Sequence, residues 1–343
     1  MTSTPTSGAP ADGVLQARDV AVSFNRPGLL ARAMARGGHR HPVLHALDGV
    51  DLTLRRGEML ALVGESGSGK STLCNVLVGR LTPDVGTVEY EGELLSARRT
   101  QLQRRRIQMV FQDPYSSLNP RMTVRRAIGE LLRVHDIVPK REVDDELIRL
   151  LRLVGLDEDA LDAYPGQFSG GQRQRLAIAR ALAVRPDVLI ADEPVSALDV
   201  SVQATILNLL TELQAELGLS VLLIAHNLAV VRSQCQRVAV MYLGRIVEIA
   251  DVEELFGNPR HPYTRALIES IPRMHRSRLR EPAVTGEPPS PIDLPPGCRF
   301  AARCPEAREL CRTDDPALEP LEAATPHRAA CHFAADLQPL PLI

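Results

Sequence analysis

The stretch that most limits what this chain can fold into is Gly64-Glu65-Ser66-Gly67-Ser68-Gly69-Lys70-Ser71-Thr72. It matches the pattern G-x-x-x-x-G-K-[ST]. The apolar run Met59-Leu60-Ala61-Leu62-Val63 directly before it reads as a buried parallel strand, and Leu73-Cys74-Asn75-Val76-Leu77-Val78 directly after it reads as the start of a helix. That strand–loop–helix context is what the pattern needs for its chemistry. Gly67 and Gly69 let successive backbone N–H groups turn inward, and a helix N-terminus adds its positive end. Lys70 then reaches the β- and γ-phosphates of a nucleotide, and Ser71 offers its hydroxyl to Mg²⁺. The stretch implies a nucleoside-triphosphate site.

At 343 residues, with 44% hydrophobic and 24% charged residues, the chain has the makeup of an ordinary globular protein with a substantial core. A formal net charge of -2 argues against nucleic acid as a main partner. No apolar stretch reaches the ~18 residues a membrane span requires. Met1 to Gly13 lacks the basic and apolar regions of a secretion signal. The expectation is a protein of the cytosol that needs a partner to hold it at any membrane.

Val14 to Asn25 alternates apolar and polar residues and predicts a half-buried strand. Phe24, near its end, is a candidate to stack on an adenine ring, and equally a strand aromatic facing the core. Arg26 to His41 is basic and glycine-containing and reads as an exposed insertion. Further strands are predicted at Val50–Leu54, at Ile107–Phe111 ending on Gln112, at Val188–Ala191 ending on Asp192-Glu193, and at Ser220–Ala225 ending on His226. Between them, Val124 to Gly155 repeats apolar residues at helical spacing and predicts a helical insertion. Lys140, Arg141, Asp144 and Asp145 are its solvated face. Phe168-Ser169-Gly170-Gly171-Gln172 opens a long helix predicted from Arg173 to Val184, with Ser169 as N-cap and the glycines leaving N–H groups open to an anion.

Two acids at the end of an apolar strand are costly unless they work on a metal or a proton. A lone histidine at a strand end would by itself be structural. The phosphate loop, Gln112, Asp192-Glu193 and His226 all follow the carboxyl ends of buried strands, however, and in an open parallel sheet ligands bind at that edge.

Together these residues resemble the ATPase subunit of an ATP-binding-cassette transporter, over about Val14 to Phe256. The resemblance implies an α/β phosphate-loop ATPase with a mostly parallel sheet, N-terminal antiparallel strands and a helical subdomain at about 113–180. Gly64 to Thr72 is its phosphate loop, and Gln112 its glutamine-loop residue. Ser169, Gly170, Gly171 and Gln172 belong to the signature, preceded by Phe168 where many members have leucine. Asp192 and Glu193 match the magnesium and general-base pair, Ser196-Ala197-Leu198-Asp199 the dimer-contact loop, and His226 the switch histidine. The implied roles are Lys70 on the γ-phosphate, Ser71, Gln112 and Asp192 toward Mg²⁺, and Glu193 as base for the attacking water. The signature would meet ATP held by a partner subunit.

The last 86 residues, 258–343, hold 15 of the 26 prolines, so no long helix or continuous sheet is expected there. Asn258 to Leu267 resembles the start of the C-terminal extension in oligopeptide/dipeptide importer ATPases. Met109 to Val124, with Tyr115-Ser116-Ser117-Leu118-Asn119-Pro120, and the insertion near 26–41 resemble the second of that system's two paralogous ATPases. The resemblance implies a paralogous second ATPase subunit, two transmembrane permease subunits and an extracytoplasmic solute-binding protein. It places the chain at the cytoplasmic face of the inner membrane.

The tail also carries Cys298, Cys304, Cys311 and Cys331, spaced x5, x6 and x19. In a reducing compartment four clustered thiols suggest a metal rather than disulfides. Zinc and an iron–sulfur cluster both accept four thiolates. Without a C-x2-C pair the spacing suits a [4Fe–4S] cluster better than zinc, and the family resemblance points the same way; a metal-free site stays open. Other readings of the chain are an importer of nickel chelates or other small solutes, a soluble non-transport cassette ATPase, and a regulatory cassette. The last is disfavoured by the intact Lys70, Asp192, Glu193 and His226.

Overall fold

A computed structural model describes residues 13–25, 43–113, 117–196, 198–271, 289–322 and 325–340. The basic insertion expected at 26–41, Tyr115 and Ser116, Ala197 of the expected dimer-contact loop, and residues 1–12 lie outside the described residues. The N-terminal pattern forms two 12-residue strands, β1 (Gly13–Phe24) and β2 (Leu44–Arg55), which pair antiparallel. With β4 (Val85–Tyr90) and β5 (Glu93–Leu94) they make a four-stranded antiparallel sheet in the order β2-β1-β4-β5.

The larger sheet has eight strands, in the order β11 (Glu319–Pro320), β12 (Arg328–Ala329), β10 (Arg245–Asp251), β9 (Arg237–Tyr242), β3 (Met59–Val63), β8 (Ser220–Ile224), β7 (Val188–Asp192), β6 (Ile107–Val110). Its centre is parallel: β3 lies between β8 and β9, and β7 joins β8 to β6. These strands are mostly apolar, with polar residues chiefly at their ends, because both faces are covered. Met59, Ala61, Val63, Leu189, Ala191, Val221 and Leu223 enter one core with the long helices. Leu60, Leu62, Val188, Ile190, Leu222 and Ile224 enter a second core under the antiparallel sheet.

The predicted helical insertion is two helices, Val124–Val134 and Val143–Leu153, separated near Pro139, which lacks the N–H a continuous helix needs. Their buried stripes (Val124, Ile128, Leu132; Val143, Leu147, Leu150, Leu151) join Leu176 and Ile178 of the helix Gly170–Leu182. Lys140, Arg141, Asp144 and Asp145 are exposed, as the charge pattern predicts.

Among its described residues the tail brings no separate core. Its helix Pro262–Glu269 sends Tyr263 and Ile268 into the first core, where Phe300 and Leu340 also lie. The tail, where no long helix or continuous sheet was expected, adds two two-residue strands, β11 (Glu319–Pro320) and β12 (Arg328–Ala329), which extend the large sheet by pairing on the outer edge of β10 (Arg245–Asp251). Proline content limits strand length here and does not forbid pairing.

Three carboxylates ahead of the tail take hold of it. Glu248 of β10, fully buried, accepts hydrogen bonds from the backbone N–H groups of Arg260 (2.6 Å) and His261 (2.9 Å) and contacts His327 Nε2 at 2.7 Å. Asp48 pairs with Arg299, and Glu65 with Arg303.

Candidate functional site

The phosphate loop follows β3 and leads into the helix Lys70–Leu77. Its shape depends on glycine at two points of close backbone approach. A Cβ on Gly64 (φ +153°) would lie 2.1 Å from the Met241 carbonyl oxygen, and one on Gly69 (φ +108°) 2.6 Å from that of Ala46. Lys70 is buried, and its Nζ donates to the carbonyl oxygens of Gly64 (2.8 Å) and Glu65 (2.9 Å), with Ser68 Oγ at 3.5 Å. Desolvation holds its pKa below the ordinary lysine range, opposed by the nearby charges of Glu193 and Asp192.

The strand order places β3, β8, β7 and β6 side by side, so their carboxyl ends form one edge. Ser71 Oγ lies 3.4 Å from Asp192 Oδ1. Gln112 Nε2 donates to Glu193 Oε2 at 3.1 Å, and His226 Nε2 meets the other oxygen, Oε1. Five residues predicted from four separate stretches are therefore linked in two short chains at one place. Glu193 takes a left-handed backbone (φ +47°), costly for a non-glycine residue and favoured at functional turns. Asp192 is buried, and desolvation raises its pKa, with the Ser71 hydrogen bond opposing. Burial destabilises that charge, so the carboxylate beside a hydroxyl is a fitting pair of hard oxygen donors for Mg²⁺.

Phe24 ends β1 and is 41% exposed, which removes the core-facing alternative and leaves a ring free to meet a base. The helix predicted from Arg173 begins at Gly170, with Ser169 as N-cap. Ser169 Oγ accepts from the Gln172 N–H (3.3 Å) and Gln172 Oε1 from the Ser169 N–H (2.9 Å), a reciprocal cap. Both residues are exposed. Gly171 is required by packing: a Cβ there would lie 2.6 Å from Val202 Cγ1.

Three residues at this site escaped the sequence reading. Gln203 Nε2 donates to the carbonyls of Val195 and Leu198, both at 3.0 Å, fastening the loop after Glu193 to the helix Val200–Leu217. Tyr263 and Arg303, both from the tail, hold Glu65 of the phosphate loop. No local pattern announces the tail's two contacts, which reach 198 and 238 residues back along the sequence.

Cys298, Cys304, Cys311 and Cys331 are free thiols that line one cavity with Phe300, Phe333 and Leu337. Gly297 allows this, since a Cβ there would sit 2.5 Å from the Cys311 carbonyl oxygen, to which the Cys298 N–H donates at 2.8 Å. Burial raises the Cys298 thiol and pushes Cys304 up to about 11 and Cys331 up to about 12. Among the described residues no group of three or more His, Cys, Asp or Glu is arranged to hold a metal ion. The structure therefore brings the four thiols to one cavity without supplying support for either the cluster or zinc.

Comparison with known proteins fits this geometry. The family model described as "ABC transporter" matches residues 47–196, and that described as "Oligopeptide/dipeptide transporter, C-terminal region" matches 247–311. The oligopeptide transport ATP-binding protein AppF of Bacillus subtilis (strain 168) is 45% identical over 328 residues, covering 93% of this chain and 97% of AppF. The chain belongs to the ABC transporter family. Within it the chain is an ATPase subunit with a C-terminal region of the oligopeptide/dipeptide type. Among solved structures, this ABC ATPase resembles cbiO1 of Clostridium perfringens, part of the ABC transporter complex cbiONQ (TM-score 0.61, 30% identity, 71% of this chain and 91% of that one). It also resembles the cassette MJ0796 in a dimeric, post-hydrolysis state bound to ADP and Pi (TM-score 0.58, 28% identity, 69% and 98%).

Proposed function

We propose that this chain is the ATP-hydrolysing subunit of a peptide importer of the oligopeptide/dipeptide type. The observation that carries the reading is the convergence, beside Lys70, of the Ser71–Asp192 pair and the Gln112–Glu193–His226 chain at one sheet edge. The relatives named for oligopeptide transport and peptide import support the substrate class. The reading divides the chain into a cassette over 14–257, with its helical subdomain at about 113–180, and a tail over 258–343.

In this reading the loop Gly64 to Thr72 holds the ATP phosphates with its N–H groups, and Phe24 supports the base. Lys70 exchanges its carbonyl partners for phosphate oxygens and neutralises their charge. Ser71, Asp192 and Gln112 would hold Mg²⁺, which supplies charge neutralisation at the phosphates. Glu193, oriented by Gln112 and His226, takes the proton of the attacking water. His226 keeps that carboxylate in place and reports the γ-phosphate to the dimer-contact loop that Gln203 fastens. Ser169 and Gln172 stand exposed at the start of their helix, and the signature Ser169 to Gln172 completes the ATP site of a second subunit, a paralogue in this branch. No nucleic acid is involved.

Among the described residues no helix is long and apolar enough to cross a membrane. The chain would thus bind peripherally at the cytoplasmic face of the inner membrane through two permease subunits served by an extracytoplasmic binding protein. The decisive experiment is co-purification from detergent with the permeases, then ATP hydrolysis in liposomes stimulated by peptide-loaded binding protein. Hydrolysis that ignores peptide and permease alike would overturn the assignment.

We further propose that the four tail thiols hold a [4Fe–4S] cluster. The reading draws on the spacing of the four thiols and the cavity they share, not on a ligand arrangement, since among the described residues no group of three or more His, Cys, Asp or Glu is arranged to hold a metal ion. Such a group would cross-link a tail whose described residues form no core of their own. Iron and acid-labile sulfide measured on anaerobically purified protein would be near four each per chain. Stoichiometric zinc, or no metal, would refute it.

A further inference from the structure

The phosphate loop is gripped from outside the cassette, at its second residue. The Glu65 N–H donates to Tyr263 Oη at 2.8 Å, and the Glu65 carboxylate takes both terminal nitrogens of Arg303 at 2.9 and 3.0 Å. The Glu65 carbonyl in turn accepts from Lys70 Nζ (2.9 Å) and from the Ser68 N–H (3.2 Å). One residue thus joins the tail to the lysine that faces the phosphates.

The far end of the grip is rigid. Arg303 has an 8% exposed side chain and donates to Tyr242 Oη at 3.3 Å. Its own N–H donates to the Phe300 carbonyl at 2.9 Å, closing a tight turn between Cys298 and Cys304. Tyr263 is fully buried, with its ring centroid 4.6 Å from that of Tyr242 and 5.5 Å from that of Phe300. A bidentate guanidinium–carboxylate pair fixes orientation as well as distance.

We propose that Arg303 is a positioning residue for the phosphate loop, through which the tail sets the affinity for nucleotide. This rests on the reading that Gly64 to Thr72 binds ATP. Two effects act in the same direction. The pair holds the Glu65 backbone in place, so the loop's N–H groups and Lys70 are ordered before the ligand arrives. It also cancels the Glu65 carboxylate, which left alone would repel a triphosphate on the same loop.

The test is titration of the purified full chain with a fluorescent ATP analogue, a binding readout that needs no hydrolysis. R303Q is expected to weaken binding by about five- to tenfold, and E65Q added to R303Q to recover a good part of that loss, because contacting residues are not additive. R303K, which keeps the charge but not the fork, falls between and serves if R303Q does not fold. The control is R308Q: Arg308 lies in the same tail, paired with Asp336 at 3.0 Å and over the Phe333 ring, with no part in the grip on Glu65. It should leave affinity within about twofold of wild type. Wild-type affinity in R303Q, an equal loss in R308Q, or strictly additive losses in the double variant would each overturn the inference. A wild-type chain that does not bind the nucleotide would instead overturn the ATP reading beneath it.

Discussion

Glu193→Gln separates the base from the scaffold around it. The change keeps side-chain length and shape, and the 14% exposed side chain stays enclosed. The new carboxamide oxygen can still accept from Gln112 Nε2, now at 3.1 Å from the carboxylate, while its NH₂ takes the place of the oxygen that meets His226 Nε2. Fold and nucleotide affinity should therefore survive. What disappears is the proton acceptor, a contribution of about 10²–10⁴ in rate. At 1.36 kcal/mol per decade that is about 2.7 to 5.4 kcal/mol of barrier. The assay is steady-state ATP hydrolysis by the reconstituted transporter, run beside equilibrium nucleotide binding. A kcat at least ~100-fold lower, with KM within about threefold, is the expected result. Turnover within about threefold of wild type at saturating ATP would refute the role. So would a rate loss matched by an equal loss of binding, since that pattern describes a broken scaffold.

Ser71→Ala removes the hydroxyl that faces Asp192 and should raise the Mg²⁺ concentration for half-maximal hydrolysis by roughly tenfold or more, read from a metal titration. His261 is wholly buried, and desolvation lowers its pKa from 6.5 to about 3. Its folded value lies below the unfolded one, so its contribution to stability is intact above pH 6.5 and is lost as pH falls from there toward 3. Thermal melts of His261→Gln should lose less stability than wild type between pH 7 and about 4.5. Phe300→Ala empties a site packed by Tyr242, Tyr263 and His261 and should cost about 3–5 kcal/mol, a melting temperature lower by roughly 4–7 °C for a chain of this length.

The sheet edge was legible in the sequence because each of its residues sits at a point where an apolar strand stops, and both faces of those strands are buried. The same logic found Ser169, whose cap chemistry is local. It placed the signature helix three residues late, since Gly170 and Gly171 read as a turn although Val202 leaves no room for a side chain at Gly171. Phe24 could be narrowed only by its exposure. The tail was legible in composition but not in contact: β11 and β12 are too short to show any alternation, and Arg303 lies 238 residues from Glu65. Electrostatic pairs of that span leave no periodic trace. The same holds for Glu248, an acid in an apolar strand whose partners come from beyond it.

The three carboxylates that receive the tail make the boundary near residue 257 a feature of the sequence more than of the molecule. Asp48, Glu65 and Glu248 are sockets whose plugs are Arg299, Arg303 and the Arg260–His261–His327 group. A shortened chain would strand Glu248 without its donors and lay bare the edge of β10, which β12 now covers. Tails of this kind are accordingly poor interchangeable parts. Grafted onto a cassette without matching acids, the segment would arrive with its plugs and find nowhere to seat them, so cassette and tail must be exchanged together.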